Sequence, residues 1–217
     1  IEKLAQKIEA KKQVKKGLMQ DLLTEKKRLK GFSDKWEIVS LGDICKIKTG
    51  KKDVNEGNPF GKYPFFTCAK DHTFSDNYSF DTEAILIAGN GEVGNCQYYR
   101  GKFEAYQRTY VLTDLKKNAQ YVFAYIGYFF QNTINSQKQM GAMPYIKIGM
   151  LQDYEIKIPK SSEEQVAIAE ILVIADKEIT ELEKKLFIIK EQKRYLLNNL
   201  IAGTIRTPET LSTKLIK

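Results

Sequence analysis

Gly89-Asn90-Gly91-Glu92-Val93-Gly94 follows the apolar run Ala84 to Ala88 and fits G-x-G-x-x-G, the spacing that cradles a dinucleotide pyrophosphate. That chemistry needs a helix to begin inside the glycines, so that its N-terminal N–H groups meet the phosphates. The following stretch, Asn95 to Gly101, alternates like a strand and then turns, so the segment reads as a glycine-rich hairpin. Gly57 to Lys62 (GNPFGK) has three residues between its glycines where a phosphate loop has four, and Tyr63 stands in place of the Ser/Thr that would hold magnesium. It reads as a turn, and its Asn58-Pro59-Phe60 is one proline short of an N-P-P-F loop. Asp153, Glu155 and Lys157 place two carboxylates and an amine as a metal-dependent nuclease would. Such triplets also arise in any amphipathic strand. His72 is the single histidine, which excludes histidine-based triads elsewhere, and with Cys68 it does not complete a zinc site. The expectation is no catalytic residue and no metal.

What remains is a set of polar and aromatic side chains in turn-rich segments: Lys51, Lys52, Lys70, His72, Asn90, Gln97, Tyr98, Arg100, Lys102, Arg108, Gln139 and Tyr145. Arg, Lys, Asn and Gln are the types that bond phosphates and base edges in duplex grooves, and these are the candidate DNA contacts.

Charge is unevenly placed. Residues 1–30 hold ten Lys/Arg against four acids, residues 31–160 sixteen against fourteen, and residues 161–217 nine against nine, which makes up the net +8. On a middle segment of only +2, the polar set implies selective contact more than general adhesion to phosphate. Of 24 aromatic residues, only Phe187 and Tyr195 lie outside residues 31–160, so the middle is expected to be globular and the ends rod-like. Cys45, Cys68 and Cys96 are odd in number and widely spaced, which suits reduced thiols. No apolar run reaches eighteen residues, and the expected location is cytoplasmic, with no membrane partner.

The positioning elements announce themselves by repetition. Ile1, Leu4, Lys7, Lys12, Lys15, Leu18, Leu22 and Arg28 recur 178 positions later as Ile179, Leu182, Lys185, Lys190, Lys193, Leu196, Leu200 and Arg206, without a gap. Ile168, Leu172, Ala175, Ile179, Leu182, Leu186, Ile189, Lys193, Leu196 and Leu200 form a heptad seam, and Ile1, Leu4, Ile8, Lys11, Lys15, Leu18 and Leu22 run in the same phase. Lys15 and Lys193 put equivalent charges on that seam. The second helix is predicted to start at Ser161 to Glu164 and to end near Gly203, a length of about 60 Å for forty residues. Strands are expected at Asp43–Lys48, Ala84–Ala88, Cys96–Tyr99, Tyr106–Thr113 and Asp153–Ile158, with a buried helix at Tyr121–Asn132. The fold class is therefore α+β: a strand-rich domain at residues 32–160, flanked by helices at 1–31 and 161–206 that form an antiparallel coiled coil, with a loose tail at 207–217.

Several pieces in order carry a family resemblance. They are Lys16 to Leu29 (KGLMQDLLTEKKRL), Trp36 with Leu41-Gly42-Asp43-Ile44 and Gly50, Gly61 to Phe65, Gly89 to Gly91, Gln107-Arg108-Thr109, Gly141 to Ile146, and Ile158-Pro159 with Gln165 and Ile168. To about Arg206 the chain resembles the specificity subunit of type I restriction-modification systems. The resemblance implies a non-catalytic, sequence-specific DNA-binding subunit whose recognition domain reads one half of a bipartite target. The helices would space the two halves and dock methyltransferase subunits through Lys15, Leu18, Met19, Leu22, Leu23, Lys193, Leu196, Leu197 and Leu200. It also implies that S-adenosylmethionine, ATP and Mg are bound by the methyltransferase and restriction subunits and not by this chain. A whole subunit carries two recognition domains. This chain has one, and is expected to be either a half-sized subunit that dimerises or one half of a longer one. The other readings are a coiled-coil scaffold whose central domain binds protein or carbohydrate, and the nuclease using Asp153, Glu155 and Lys157.

Overall fold

The two repeat copies fold as helices that stop at the same repeat position. In the computed structural model, which describes residues 1–138 and 145–206, α1 spans Glu2–Leu23 and α5 spans Ser162–Ile201. Leu23 and Ile201 are 178 residues apart, and two residues beyond each the backbone turns left-handed, at Glu25 (φ 63°) and Gly203 (φ 70°). A left-handed residue just past the last turn is how helices commonly terminate. The helix predicted over residues 1–31 thus ends earlier, because the αL residue cannot continue it. Ser161 caps α5 as expected, its Oγ accepting from the Glu164 N–H at 3.2 Å.

The chain divides into two compact units, one made of Ile1–Gly17 with the chain from Ile174 onward, the other of Leu18–Val173. The first is an antiparallel helix pair. Lys11 bonds Glu178 at 2.8 Å, Lys12 bonds Glu183 at 2.6 Å and Lys15 bonds Asp176, so from Lys12 to Lys15 the partner steps back along α5 from Glu183 to Asp176. Ile8 and Ile179 are buried in the seam.

The second unit holds two sheets. Trp36–Ser40 (β1) pairs antiparallel with Glu155–Pro159 (β8), Trp36 opposite Pro159, so the domain's first and last strands lie side by side. Six strands form the larger sheet: β2 (Lys46–Thr49), β3 (Tyr63–Phe66), β4 (Thr73–Ser75), β5 (Phe80–Ala88), β6 (Cys96–Ala105) and β7 (Thr109–Thr113), in the order β2-β7-β5-β6-β3-β4. The β3–β6 pair is parallel; the others are antiparallel. The sheet curls back on itself: the Tyr106 N–H and the Thr109 hydroxyl both donate to the Phe66 carbonyl, at 2.9 and 3.2 Å.

Several elements depart from the sequence-based expectation. Leu41–Ile44 is a one-turn helix (α2) where Asp43 was expected to open a strand, because Leu41 and Ile44 point together into the core. β6 runs on through Gly101, whose φ of 133° is open to glycine, and does not turn there. α3 spans Ala119–Lys138, longer than predicted at both ends. β1, β3, β4 and α4 (Ile148–Gln152) were not anticipated. The tail from residue 207 lies outside the described residues. No helix among the described residues is long and apolar enough to cross a membrane.

The main core packs Ile85, Ile87 and Leu112 of the sheet against Tyr121, Val122, Ile126, Phe130 and Ile134 of α3, and it takes in Leu22 and Leu23 from the end of α1 and Ile168 and Leu172 from the start of α5. A charge network lies beside it. The Arg28 guanidinium donates two 2.8 Å bonds to the fully buried Glu164 carboxylate, and Glu25 bonds Arg28 at 3.3 Å and Lys157 at 2.6 Å. Arg28 and Lys157 each lie 5.9 Å from the Trp36 ring. The Trp36 indole N–H is buried without a hydrogen-bond partner, so its anchoring rests on its ring contacts, including the edge of Tyr121 at 6.2 Å.

Candidate nucleic-acid interface

Four segments of the strand-rich domain are knitted into one loop cluster. The glycine motif is the turn of the β5–β6 hairpin, as the alternation after it required, with Gly91 (φ 60°) and Gly94 (φ 80°) in conformations that favour glycine. Ala88 N–H donates to Asn95 O, and Gly94 N–H donates back to Ala88 O, both at 2.9 Å. Onto this turn folds the loop after β3: Glu92 N–H donates to Cys68 O at 3.0 Å, Asn95 Nδ2 to Ala69 O and Gln97 Nε2 to Lys70 O, each at 3.2 Å. The turn before β7 closes the third side, its Arg108 carbonyl accepting from Gly89 N–H at 2.9 Å and from the Cys68 thiol at 3.3 Å. Ile146 supplies the fourth, its N–H donating to Gly89 O at 3.1 Å and its carbonyl accepting from the Tyr110 hydroxyl at 2.7 Å.

Lys70, Asn90, Gln97, Arg108 and Tyr145 are thereby gathered by backbone ties, although they are spread over 75 positions of sequence. Lys70, Arg108 and Tyr145 are exposed, and the Lys147 ammonium lies 5.5 Å from the Tyr145 ring. The Gln97 amide is committed to Lys70, which orients that loop. Gln139 lies outside the described residues.

The other candidates fall elsewhere. His72 is exposed and sits against Phe66 (5.2 Å) and Phe74 (5.4 Å). Arg100 and Lys102 are exposed on β6, with Arg100 opposite Glu83 and Lys102 4.7 Å from the Tyr78 ring. Lys51 is exposed. Lys52 turns inward, donating to Ser75 Oγ at 3.1 Å and lying 3.9 Å from the buried Glu104, so it neutralises a core carboxylate. Tyr98 packs against Phe123 and donates its hydroxyl to Glu83. Burial first, then that bond and the Glu83 charge, pushes its pKa up to about 12, so it is a phenol at any physiological pH.

The helix candidates separate just as clearly. Leu22 and Leu23 are in the domain core, with Leu18 and Met19 packed against it, while their repeat mates Leu196, Leu197, Leu200 and Ile201 are 49, 47, 40 and 83% exposed. Lys15 is bonded to Asp176; Lys193 is exposed. Of the nuclease triplet, Lys157 is bonded to Glu25, and no trio of potential metal ligands occurs among the described residues.

Sequence reasoning passed over Lys62, Tyr63 and Tyr78, which join Lys102 in a row. The Tyr63 and Tyr78 rings are 4.8 Å apart, with the Lys62 ammonium 5.5 Å from the Tyr63 ring. Register brings Lys102 beside Tyr63, since Phe65 pairs with Glu104 two residues further on. No local spacing signals that contact, because it depends on a parallel pairing between strands some forty residues apart.

Comparisons with known proteins agree with this architecture. The type I restriction enzyme EcoDI specificity subunit of Escherichia coli is 35% identical over 177 residues, covering 78% of this chain and 38% of that protein. Two solved structures share the fold: a type I restriction-modification system S subunit from M. genitalium (TM-score 0.77, 20% identity, 90% of this chain and 55% of that one) and the HsdS subunit from Thermoanaerobacter tengcongensis (0.59, 16%, 90% and 52%). The chain spans about half the length of these solved relatives, and less of the curated one. Residues 33–190, the whole strand-rich domain and much of the long helix, match the type I restriction modification DNA specificity domain, and the chain belongs to that family.

Proposed function

We propose that this chain is a non-catalytic DNA-reading half-unit of a type I restriction-modification specificity subunit. The observation that carries the reading is the match of residues 33–190 to a DNA specificity domain, which takes in the loop cluster at Lys70, Asn90, Arg108 and Tyr145. Phosphate contacts from Lys51, Lys70 and Lys102 position the domain on the duplex, and Arg100 and Arg108 read base edges. Methyl transfer from S-adenosylmethionine and ATP-driven, Mg-dependent restriction belong to partner subunits.

The unequal repeat copies support a second half-unit as a partner. Leu22 and Leu23 are covered by a recognition domain, and Arg28 is clamped on that domain's Glu164. Leu200, Ile201 and Arg206 occupy the matching repeat positions bare. A surface that covers the second copy has an apolar seat and a buried carboxylate for Arg206. A second recognition domain of this kind has both. At 3.4 Å per base pair, a helix of about 60 Å keeps the two domains several pairs apart.

The test is methylome sequencing of cells carrying this chain with its methyltransferase partner. The expected result is one split motif whose halves flank an unread spacer. Methylation without any split motif removes the reading.

A further inference from the structure

Phe60 is 96% exposed, the most exposed large apolar side chain described. Leaving a phenylalanine in water forgoes the free energy of burying its ring, and a mobile loop would fold it back. This loop is held open. Asn58-Pro59-Phe60-Gly61 is a β-turn, with Gly61 N–H donating to Asn58 O at 2.8 Å and proline at the position its fixed φ favours. The Asn58 side-chain oxygen accepts from Phe60 N–H at 3.0 Å, and its amide donates to both Asp76 oxygens at 3.0 and 3.1 Å. Asn58 N–H donates to Phe74 O at 2.8 Å, and a Cβ on Gly61 would come within 2.5 Å of the Ser75 backbone. The turn is thus stapled to β4 and presents Phe60 outward.

The surroundings indicate what it is presented to. Two residues on begins the row of Lys62, Tyr63, Tyr78 and Lys102, in which neither lysine has a carboxylate within ion-pair distance among the described residues. The acids of the loop are engaged within it: Asp76 with Asn58, Asp53 with the Asn55 N–H and with Gln107, Glu56 with the Asp53 N–H, while Asp81 stands opposite Lys102 across the β5–β6 pair. Gln107 adjoins Arg108 of the loop cluster, and His72 lies against Phe74 of the strand that holds the turn. Rings flanked by ammonium groups that form no close ion pair suit a polyanion with planar, stackable units. The core of a protein interface is depleted in lysine.

Resting on the DNA-reading function, we propose that Phe60 is a wedge that enters the base stack at one step of the recognised half-site, while Lys62 and Lys102 hold the flanking phosphates. Apolar wedges of this kind part neighbouring bases and bend the duplex, most readily at pyrimidine–purine steps.

The experiment uses the full chain assembled with its methyltransferase partner, and duplexes selected by that complex from a random-sequence pool, resynthesised with 2-aminopurine at each position in turn. The wild-type complex is expected to raise fluorescence at one step. Phe60→Ala should abolish that rise and weaken binding by about ten- to a hundredfold, with its melting temperature unchanged, and Phe60→Trp should preserve the rise. Sequence-specific binding with the same fluorescence pattern in Phe60→Ala overturns the wedge alone, as does a Phe60→Ala chain that loses partner subunits but keeps the DNA signal. Selection that yields no preferred sequence overturns the DNA-reading function itself.

Discussion

Glu25 and Gly203 occupy the same position in the two repeat copies and adopt the same left-handed backbone, at φ 63° and 70°. Glycine does this without strain; a glutamate is held there at a cost of about 1 kcal/mol. In the first copy that cost is offset by the carboxylate, which bonds Lys157 and Arg28.

Substitutions at Glu25 should therefore rank against ordinary helix propensity. Glu25→Ala keeps the strained backbone and loses both ion pairs, for an expected loss of about 1–2 kcal/mol. Glu25→Gly loses the pairs but relieves the strain, and should be nearer to neutral. Urea unfolding measures both, and a glycine variant less stable than the alanine variant contradicts the account.

Arg28 should be more costly to remove. Its partner Glu164 is fully buried, so Arg28→Ala strands a carboxylate, for about 3–5 kcal/mol. Adding Glu164→Gln to that variant should restore part of the loss, since the stranded charge is then gone. A double variant no more stable than Arg28→Ala contradicts this.

The repeat mates Leu23 and Ile201 should behave oppositely. Leu23→Ala opens a cavity in the domain core, at about 2–5 kcal/mol. Ile201→Ala should leave stability within about 0.5 kcal/mol and instead weaken association with a second half-unit, read by analytical ultracentrifugation of the assembled complex.

Arg100→Ala and Arg108→Ala should each cost about 1–3 kcal/mol of DNA affinity and relax selectivity at one base position. Lys70→Ala should weaken binding to all sequences alike and lower the salt slope by about one. Binding titrations across salt concentrations on matched and mismatched duplexes separate the two behaviours.

Burial raises the thiol pKa of Cys45 from 9.0 to about 11 and that of Cys96 as well. Because the unfolded chain ionises these thiols first, the stability they contribute is complete below pH 9 and falls as pH rises through the Cys45 value near 11. At pH 8 a thiol reagent should find Cys45 and Cys96 protected in the native protein and all three cysteines reactive in denaturant.

What could be read from the sequence follows from the range of the interactions concerned. The Ser161 cap and the Gly89–Gly94 turn are local patterns, and each has the structure its spacing implied. The first repeat helix, by contrast, stops at Leu23, and the heptad seam is covered at Ile8 and Ile179 but bare at Leu196 and Leu200. The gathering of Lys70, Asn90, Arg108 and Tyr145 depends on backbone bonds between distant loops, so their types were visible but their association was not. Lys52 looked like its neighbour Lys51. Only the fold tells them apart, by placing Glu104 beneath one of them. Likewise Leu22 and Leu200 sit at the same seam position, and what differs is the surface laid against them.

The pairing of Trp36 with Pro159 brings the two ends of the strand-rich domain together on one short ribbon. Everything between is a loop closed at its base, in the manner of an inserted cassette. A different sequence that closes on the same ribbon, and offers the same apolar seat to Leu23, could be exchanged for this one while the helices, with the Arg28–Glu164 pair, stay as they are. New specificity could then arise by recombination at two neighbouring points, without redesign of the assembly.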